Sequence, residues 1–400
     1  MPKLKRDLTM EEQLARGPMD LPFLMLVVLL TGIGVIMVFS ASYATALNEG
    51  HAATYYFIRQ GIFAAAGLGL LYVTSKINYQ SFRWMSVFVL GFALVLLVLV
   101  LVPGIHTNRS DGVKRWIRSI GPIPAFQPSE FAKLGVILYF SARMSKRGSE
   151  KKKKFNTRTL SGTLLQKADG WGFTELVPYG VILLVIMLLM KLEPHMSGTI
   201  LILIPAAAIL FAGGVRLGWF ALGGAAVGGL LALTMTGYQS TRILVWKDPW
   251  AYPKDGGYQI IQSLYAIGSG GLFGVGFGQS RQKQLFIPEP ENDFIFSIVC
   301  EELGLIGAGL ILLLFVMLIV RGYWIALPAR DRFGSLLAVG VTTLMAAQVF
   351  LNISVVTNFL PTTGISLPFF SYGGTALMIQ LIEMGIVLAV SRQIPAPKQG

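Results

Sequence analysis

Asp293 stands where a polar stretch runs back into an apolar one, in the sequence FIPEPENDFIFSIVCEELG. A carboxylate at the mouth of a membrane helix is costly unless it faces a cavity or an ionic partner. In its ionised form such a group can accept a proton from an alcohol. A helix starting near 293 puts Asp293, Ser297, Cys300, Glu301 and Gly304 roughly on one side and turns Glu302 away. The same position also suits Asp293 as a helix cap, and Glu301 and Glu302 as polar packing between helices.

Cations are the natural company for a substrate carrying phosphate, because guanidinium groups bind phosphate oxygens through paired hydrogen bonds. The candidates are Arg109, Lys114, Arg115, Arg118, Lys133, Arg242, Lys247, Arg281 and Lys283. Interfacial anchoring to lipid headgroups is the competing use of each. Pro128, Ser129, Glu130 and Lys133 read as a helix start with a carboxylate in its first turn, and Glu130 with Lys133 as a local ion pair.

The elements that must position these residues are apolar. Apolar residues make up 54 % of the 400 and charged residues 13 %; mean hydropathy is +0.64. The apolar residues fall in blocks near the ~20 residues a helix needs to cross a bilayer. This predicts an all-α, polytopic membrane protein with ten spans, at about 21–43, 55–75, 84–103, 128–144, 176–191, 196–213, 217–236, 294–320, 333–356 and 367–391. Residues 1–20 and 393–400 are tails around a single transmembrane domain, 21–392. The first apolar run is read as a retained span, since it lacks a clear cleavage signal.

The net charge of +13 follows from orientation. Lys and Arg concentrate at the N-terminus, in the lysine-rich 145–175 loop, in 321–332 and at the C-terminus, which puts both termini in the cytoplasm. The 145–175 loop lacks the interleaved aromatics of a nucleic-acid binder and suits anionic headgroups instead. The remaining cations cluster in 105–133 and 238–283, on the outer side, where topology does not ask for them. The outer segments are 105–127, which reads as an amphipathic stretch at the interface, and 238–292. Within the latter, IGSGGLFGVGFGQS reads as a tight turn with close backbone approach, lacking the GKS or GKT of a phosphate loop. The three histidines are dispersed and Cys300 is the one cysteine, so a protein-ligated transition metal is not expected. No cofactor is required, although a divalent cation (Mg2+ or Mn2+) bridging a carboxylate and a substrate phosphate is compatible with these residues.

Five motifs in order carry a resemblance: DGVKRWI at 111–117, FQPSEFAKL at 126–134, GGYQIIQSLYAIGSGGLFGVGFG at 256–278, PEPENDFIFSIVCEELG at 288–304 and LPTTGISLPFFSYGG at 360–374. Together they make the chain similar, over about 20–392, to the SEDS membrane proteins of the FtsW, RodA and SpoVE type, nearer the division and sporulation branch. The resemblance implies ten membrane helices and a peptidoglycan glycosyltransferase that polymerises lipid II on the outer face. It implies Asp293 as the base that deprotonates the acceptor sugar hydroxyl, with undecaprenyl diphosphate leaving. It also marks Arg115, Trp116, the Pro128-Ser129-Glu130 and Lys133 element, and Ser371, Tyr372, Gly373 and Gly374 as family positions. Implied partners are lipid II and the nascent glycan strand, a class B penicillin-binding protein, and other divisome or sporulation cell-wall proteins. The chain departs from the family pattern at Glu291-Asn292, where many members carry His-Thr, and at Thr375-Ala376, where two serines are usual. Two competing readings remain: a lipid II flippase, with Glu301, Glu302 and Glu383 along a path, and a non-catalytic scaffold for a penicillin-binding protein.

Overall fold

The computed structural model describes residues 17–107, 115–119, 124–147, 172–233, 237–254 and 256–393. Among them the architecture is helical: α1 Leu21–Asn48, α2 Tyr55–Lys76, α3 Ser81–Leu99, α4 Pro128–Met144, α5 Phe173–Leu192, α6 Met196–Ala212, α7 Leu217–Leu233, α8 Gly237–Lys247, α9 Gly257–Gly270, α10 Ile295–Ala326, α11 Arg332–Val356 and α12 Gly374–Ser391. Seven of these, α1, α2, α3, α5, α10, α11 and α12, are long and apolar enough to cross a membrane; α6 is a shorter apolar helix, as is the Leu217–Ala226 part of α7. The protein is a multi-pass membrane protein.

Local chemistry sets the helix ends. Asp20 caps α1 by accepting from Phe23 N–H at 3.0 Å, and Asp331 caps α11 by accepting from Gly334 N–H at 3.0 Å. Pro128 opens α4, where a missing N–H costs nothing. Helices α11 and α12 are largely buried among their neighbours, with α12 lying along α2 and α11 against α4, α6 and α10.

The bundle has two differently built ends. At one, Asp20 takes a forked pair of bonds from Arg321, and Asp331 accepts from Tyr79, Gln80 and Arg83. These contacts join the α1 start, the α2–α3 turn, the α10 end and the α11 start. The other end holds the α10 start, the α11 end and the α12 start, and therefore Asp293.

The stretch 238–292, expected as an outer segment, contains α8, α9 and the short 3-10 turn Pro249–Ala251. One expectation needs correcting. The final span begins at Gly374 rather than 367, since Leu367 to Gly373 fold as a loop on the Asp293 end. In the 105–127 segment the described residues are extended, with bridges His106–Ile117 and Ile117–Phe126.

Candidate active site

Asp293 lies just before α10 and is half-buried. The cap position of α10 is Phe294, which makes no side-chain cap bond. Its carboxylate faces the 358–373 loop. A Cβ placed on Gly364 would stand 3.2 Å from Asp293 Oδ2, and Gly364 has φ +70°, a left-handed backbone that glycine adopts without strain.

The backbone around Asp293 is clamped. Tyr372 N–H donates to the Glu291 carbonyl and Ser371 Oγ to the Asn292 carbonyl, both at 2.8 Å. Asn352 Nδ2 donates to the Asp293 carbonyl at 2.8 Å. Ser371 Oγ also accepts from Leu367 N–H at 2.7 Å. Gln60, buried on α2, donates to the Ser371 carbonyl at 3.2 Å and accepts from Gly373 N–H at 3.3 Å. Gly374 packs so closely on the Phe63 ring that any Cβ there would collide with it. The SYGG motif thus holds the chain that carries the carboxylate, through main-chain contacts.

Beside Asp293, Glu291 is buried and accepts from Thr45 Oγ1 at 3.2 Å. Burial is the main cause that pushes its pKa up to about 7, and Glu289 and Glu49 add to the rise.

Of the two cationic segments, 105–133 lines, through Lys133, a small cavity of about 30 Å³ between α4, α6, α11 and the 364–366 loop, and 238–283 reaches that loop beside it. Its lining includes Glu130, Lys133, His195, Gln348, Gly364 and Ser366. Lys133 Nζ meets Glu130 at 2.7 Å, and both are buried. Arg115 donates to the Pro194 carbonyl, next to His195. His195 is bonded to Gln127 at 3.1 Å, and burial, with Arg115 and Lys133 nearby, lowers its pKa to about 3, which keeps the ring neutral. From the other segment, Arg242 Nη1 donates to the Thr362 carbonyl at 2.8 Å, two residues from Gly364. Trp246 and Asn358 exchange bonds at 3.1 and 3.2 Å, which docks α8 on the same loop.

Other expected site residues lie elsewhere. Lys283, expected among the phosphate-binding cations, is 2 % exposed and ion-paired with Glu302 at 2.7 Å, with a further bond to Ser40 at 2.9 Å. A cation already neutralised in the core is not on offer to a substrate. Glu301 and Ser297, expected on the side of Asp293, do structural work. Glu301 accepts from Ser280 Oγ, and from Arg281 and Gln282 N–H at 3.0 and 3.3 Å. Ser297 Oγ meets Ser263 Oγ at 2.6 Å, joining α10 to α9. Arg118, Lys247 and Arg281 are exposed, and Trp116 is half-buried, its carbonyl accepting from Thr107 N–H at 3.0 Å. Arg109 and Lys114 lie outside the described residues.

Among the described residues the chain is a helical membrane bundle with a half-buried carboxylate at one end. The chain belongs to the FtsW/RodA/SpoVE family, described as cell cycle proteins, whose model matches residues 21–395. It is 40 % identical over 377 residues to the probable peptidoglycan glycosyltransferase FtsW of Geobacter sulfurreducens, covering 94 % of this chain and 95 % of that one. It is also 40 % identical over 375 residues to the stage V sporulation protein E of Bacillus subtilis, covering 93 % and 97 %. Among solved structures it resembles a chain of a peptidoglycan synthase complex that coordinates polymerization and crosslinking, with a TM-score of 0.68 and 27 % identity over 94 % of this chain and 98 % of that one. The rod shape determining protein RodA of Thermus thermophilus shares the fold, with a TM-score of 0.64 and 24 % identity over 95 % and 98 %.

Proposed function

We propose that the chain is a peptidoglycan glycosyltransferase that extends glycan strands from a lipid-linked disaccharide, lipid II, with Asp293 as general base. The enzyme class rests on the family and on the names of relatives that cover nearly the whole chain. The single observation that supports the base is the placement of Asp293, half-buried at the bundle end, on a backbone clamped by α11, α2 and the SYGG loop. The ionised carboxylate takes the proton of the acceptor sugar hydroxyl as that oxygen attacks the anomeric carbon of the donor. The glycosidic bond forms as the donor carbon's bond to the diphosphate oxygen breaks, and undecaprenyl diphosphate leaves with the bonding electrons.

Arg242 and Arg115 are the cations best placed to meet the leaving diphosphate. The fit favours ten spans with both termini cytoplasmic and the Asp293 end on the outer face of a bacterial plasma membrane. Of the basic segments assigned inside, the 321–332 loop and Arg83 lie at the Asp20–Arg321–Asp331 end. A class B penicillin-binding protein is the partner that the family resemblance implies, and the neighbouring complex, which couples polymerization to crosslinking, is in keeping with a crosslinking partner. Among the described residues no three His, Cys, Asp or Glu side chains are grouped to hold a metal.

The test is polymerisation of lipid II by purified protein, with and without the partner. Asp293→Asn keeps size and hydrogen bonding but removes the base, so glycan polymer is lost while the melting temperature holds. Polymer formed at the normal rate by that variant refutes the mechanism.

A further inference from the structure

A side chain is aimed by its backbone, and the backbone of Asp293 is held from the far side by an amide in the middle of the membrane bundle's packing. Asn352 lies on α11, one turn before that helix ends at Val356, and its exposed surface is 0 %. Its Nδ2 forks: one bond goes to the Asp293 carbonyl at 2.8 Å, the other to the Ile365 carbonyl at 2.7 Å. Ile365 follows Gly364, the residue packed against Asp293 Oδ2. One amide group therefore spans the strand that carries the carboxylate and the loop that walls it.

The residue type follows from that geometry. Two N–H donors on one nitrogen can serve two carbonyls at once. An ionised aspartate has no donor, and leucine of similar volume has none either. In a helix as apolar as α11, VFLNISVV around this position, a buried amide is a cost that packing alone does not require. Ser371 and Tyr372 grip the two preceding carbonyls, and Ser371 also holds Leu367, but the carbonyls of Asp293 itself and of Ile365 are both held by Asn352.

We propose that Asn352 is the positioning residue of Asp293, fixing the distance between the carboxylate and the 362–366 loop against which substrate must sit. The inference rests on the reading of Asp293 as general base. It assigns Asn352 no contact with substrate.

The experiment uses the full chain with its partner. It measures kcat and KM for lipid II polymerisation, direct binding of lipid II, and the melting temperature. Asn352→Leu is expected to lower kcat by about 10- to 100-fold, the scale of an ångström's misplacement of a reacting group, with lipid II binding within about threefold of normal. Asn352→Asp adds a pH readout. Ionised, it has no donor; protonated, it regains one O–H, so its kcat relative to the wild type climbs as pH falls, whereas that of the leucine variant does not. A leucine variant with normal kcat per folded molecule overturns the inference. So does a loss shared equally between binding and kcat, with no pH recovery in the aspartate variant. Asp293→Asn, run alongside, separates the two readings: if it polymerises normally, the base assignment fails. If it is inactive while Asn352→Leu is normal, only the positioning role fails.

Discussion

At the scale of single residues, the space beside the carboxylate is set by the loop that faces it. Gly364 is the sharpest case. Its φ of +70° disfavours any other residue, and an added Cβ would press on Asp293 Oδ2 at 3.2 Å. Gly364→Ala should cost about 1–2 kcal/mol of stability through the left-handed backbone. It should also lower kcat well beyond that, which turnover per folded molecule, read beside a melting curve, would separate. Glu291 supplies the pH dependence. Its folded pKa is pushed up to about 7 from an ordinary 4.5, so between those values the folded chain holds a proton that the unfolded chain releases. Stability contributed there falls as pH rises from about 4.5 to about 7 and stays lowered above, by at most a few kcal/mol. Glu291→Gln should flatten that slope and raise the melting temperature at pH 8 relative to the wild type. A pH–melting profile that matches the wild type would refute it.

At the scale of elements, the glycine-rich turn and α10 are locked together through backbone. Val275 and Gly276 N–H donate to the Glu301 and Glu302 carbonyls at 2.9 and 3.1 Å, while Leu305 and Ile306 N–H donate back to Gly271 and Leu272 at 2.9 and 3.1 Å. Such reciprocity is available only because Gly304 breaks the α10 ladder with φ +67° and Gly274 leaves no Cβ to collide with the Glu302 carbonyl. Close backbone approach was legible in the run IGSGGLFGVGFGQS; the partner that receives it was not, because nothing in a sequence says which distant carbonyls a turn will meet. The same limit explains Lys283. By type and location it looked like the other basic residues of 238–283, yet it is buried against Glu302 and Ser40 from α1. Lys283→Met should therefore destabilise by about 3–5 kcal/mol by stranding a buried carboxylate. Lys283→Met with Glu302→Gln should recover most of that in thermal melting, whereas Arg281→Ala should leave melting unchanged. Apolar block lengths read most helices correctly, but α8 and α9 hid inside a polar stretch whose amphipathic pattern was too short to stand out.

At the scale of the whole molecule, two segments more than a hundred residues apart bring guanidinium groups to one rim. Arg115 reaches the α5–α6 turn at Pro194, and Arg242 reaches the 358–373 loop at Thr362. Both turns border the cavity that also holds Lys133, and a Cβ on Gly364 in its lining would stand 3.2 Å from the carboxylate. The sequence showed an excess of cations in both segments, but their meeting depends on how α4, α6 and α11 pack, which is a long-range property. The two ends differ: at the Asp20–Arg321–Asp331 end guanidinium groups tie helices together through carboxylates, while here Arg115 and Arg242 each donate to a loop carbonyl, and Arg115 also acts electrostatically on buried Glu193. A substrate diphosphate reaching this rim would meet both guanidinium groups. Arg242→Ala and Arg115→Ala should each weaken lipid II binding by about tenfold or more, the ~1.5–3 kcal/mol of a charge-assisted bond. The two losses should be nearly additive if each arginine meets the diphosphate separately. Rising salt should weaken wild-type binding more than that of the double variant. Binding of the double variant at wild-type strength would show that the two arginines only brace their loops.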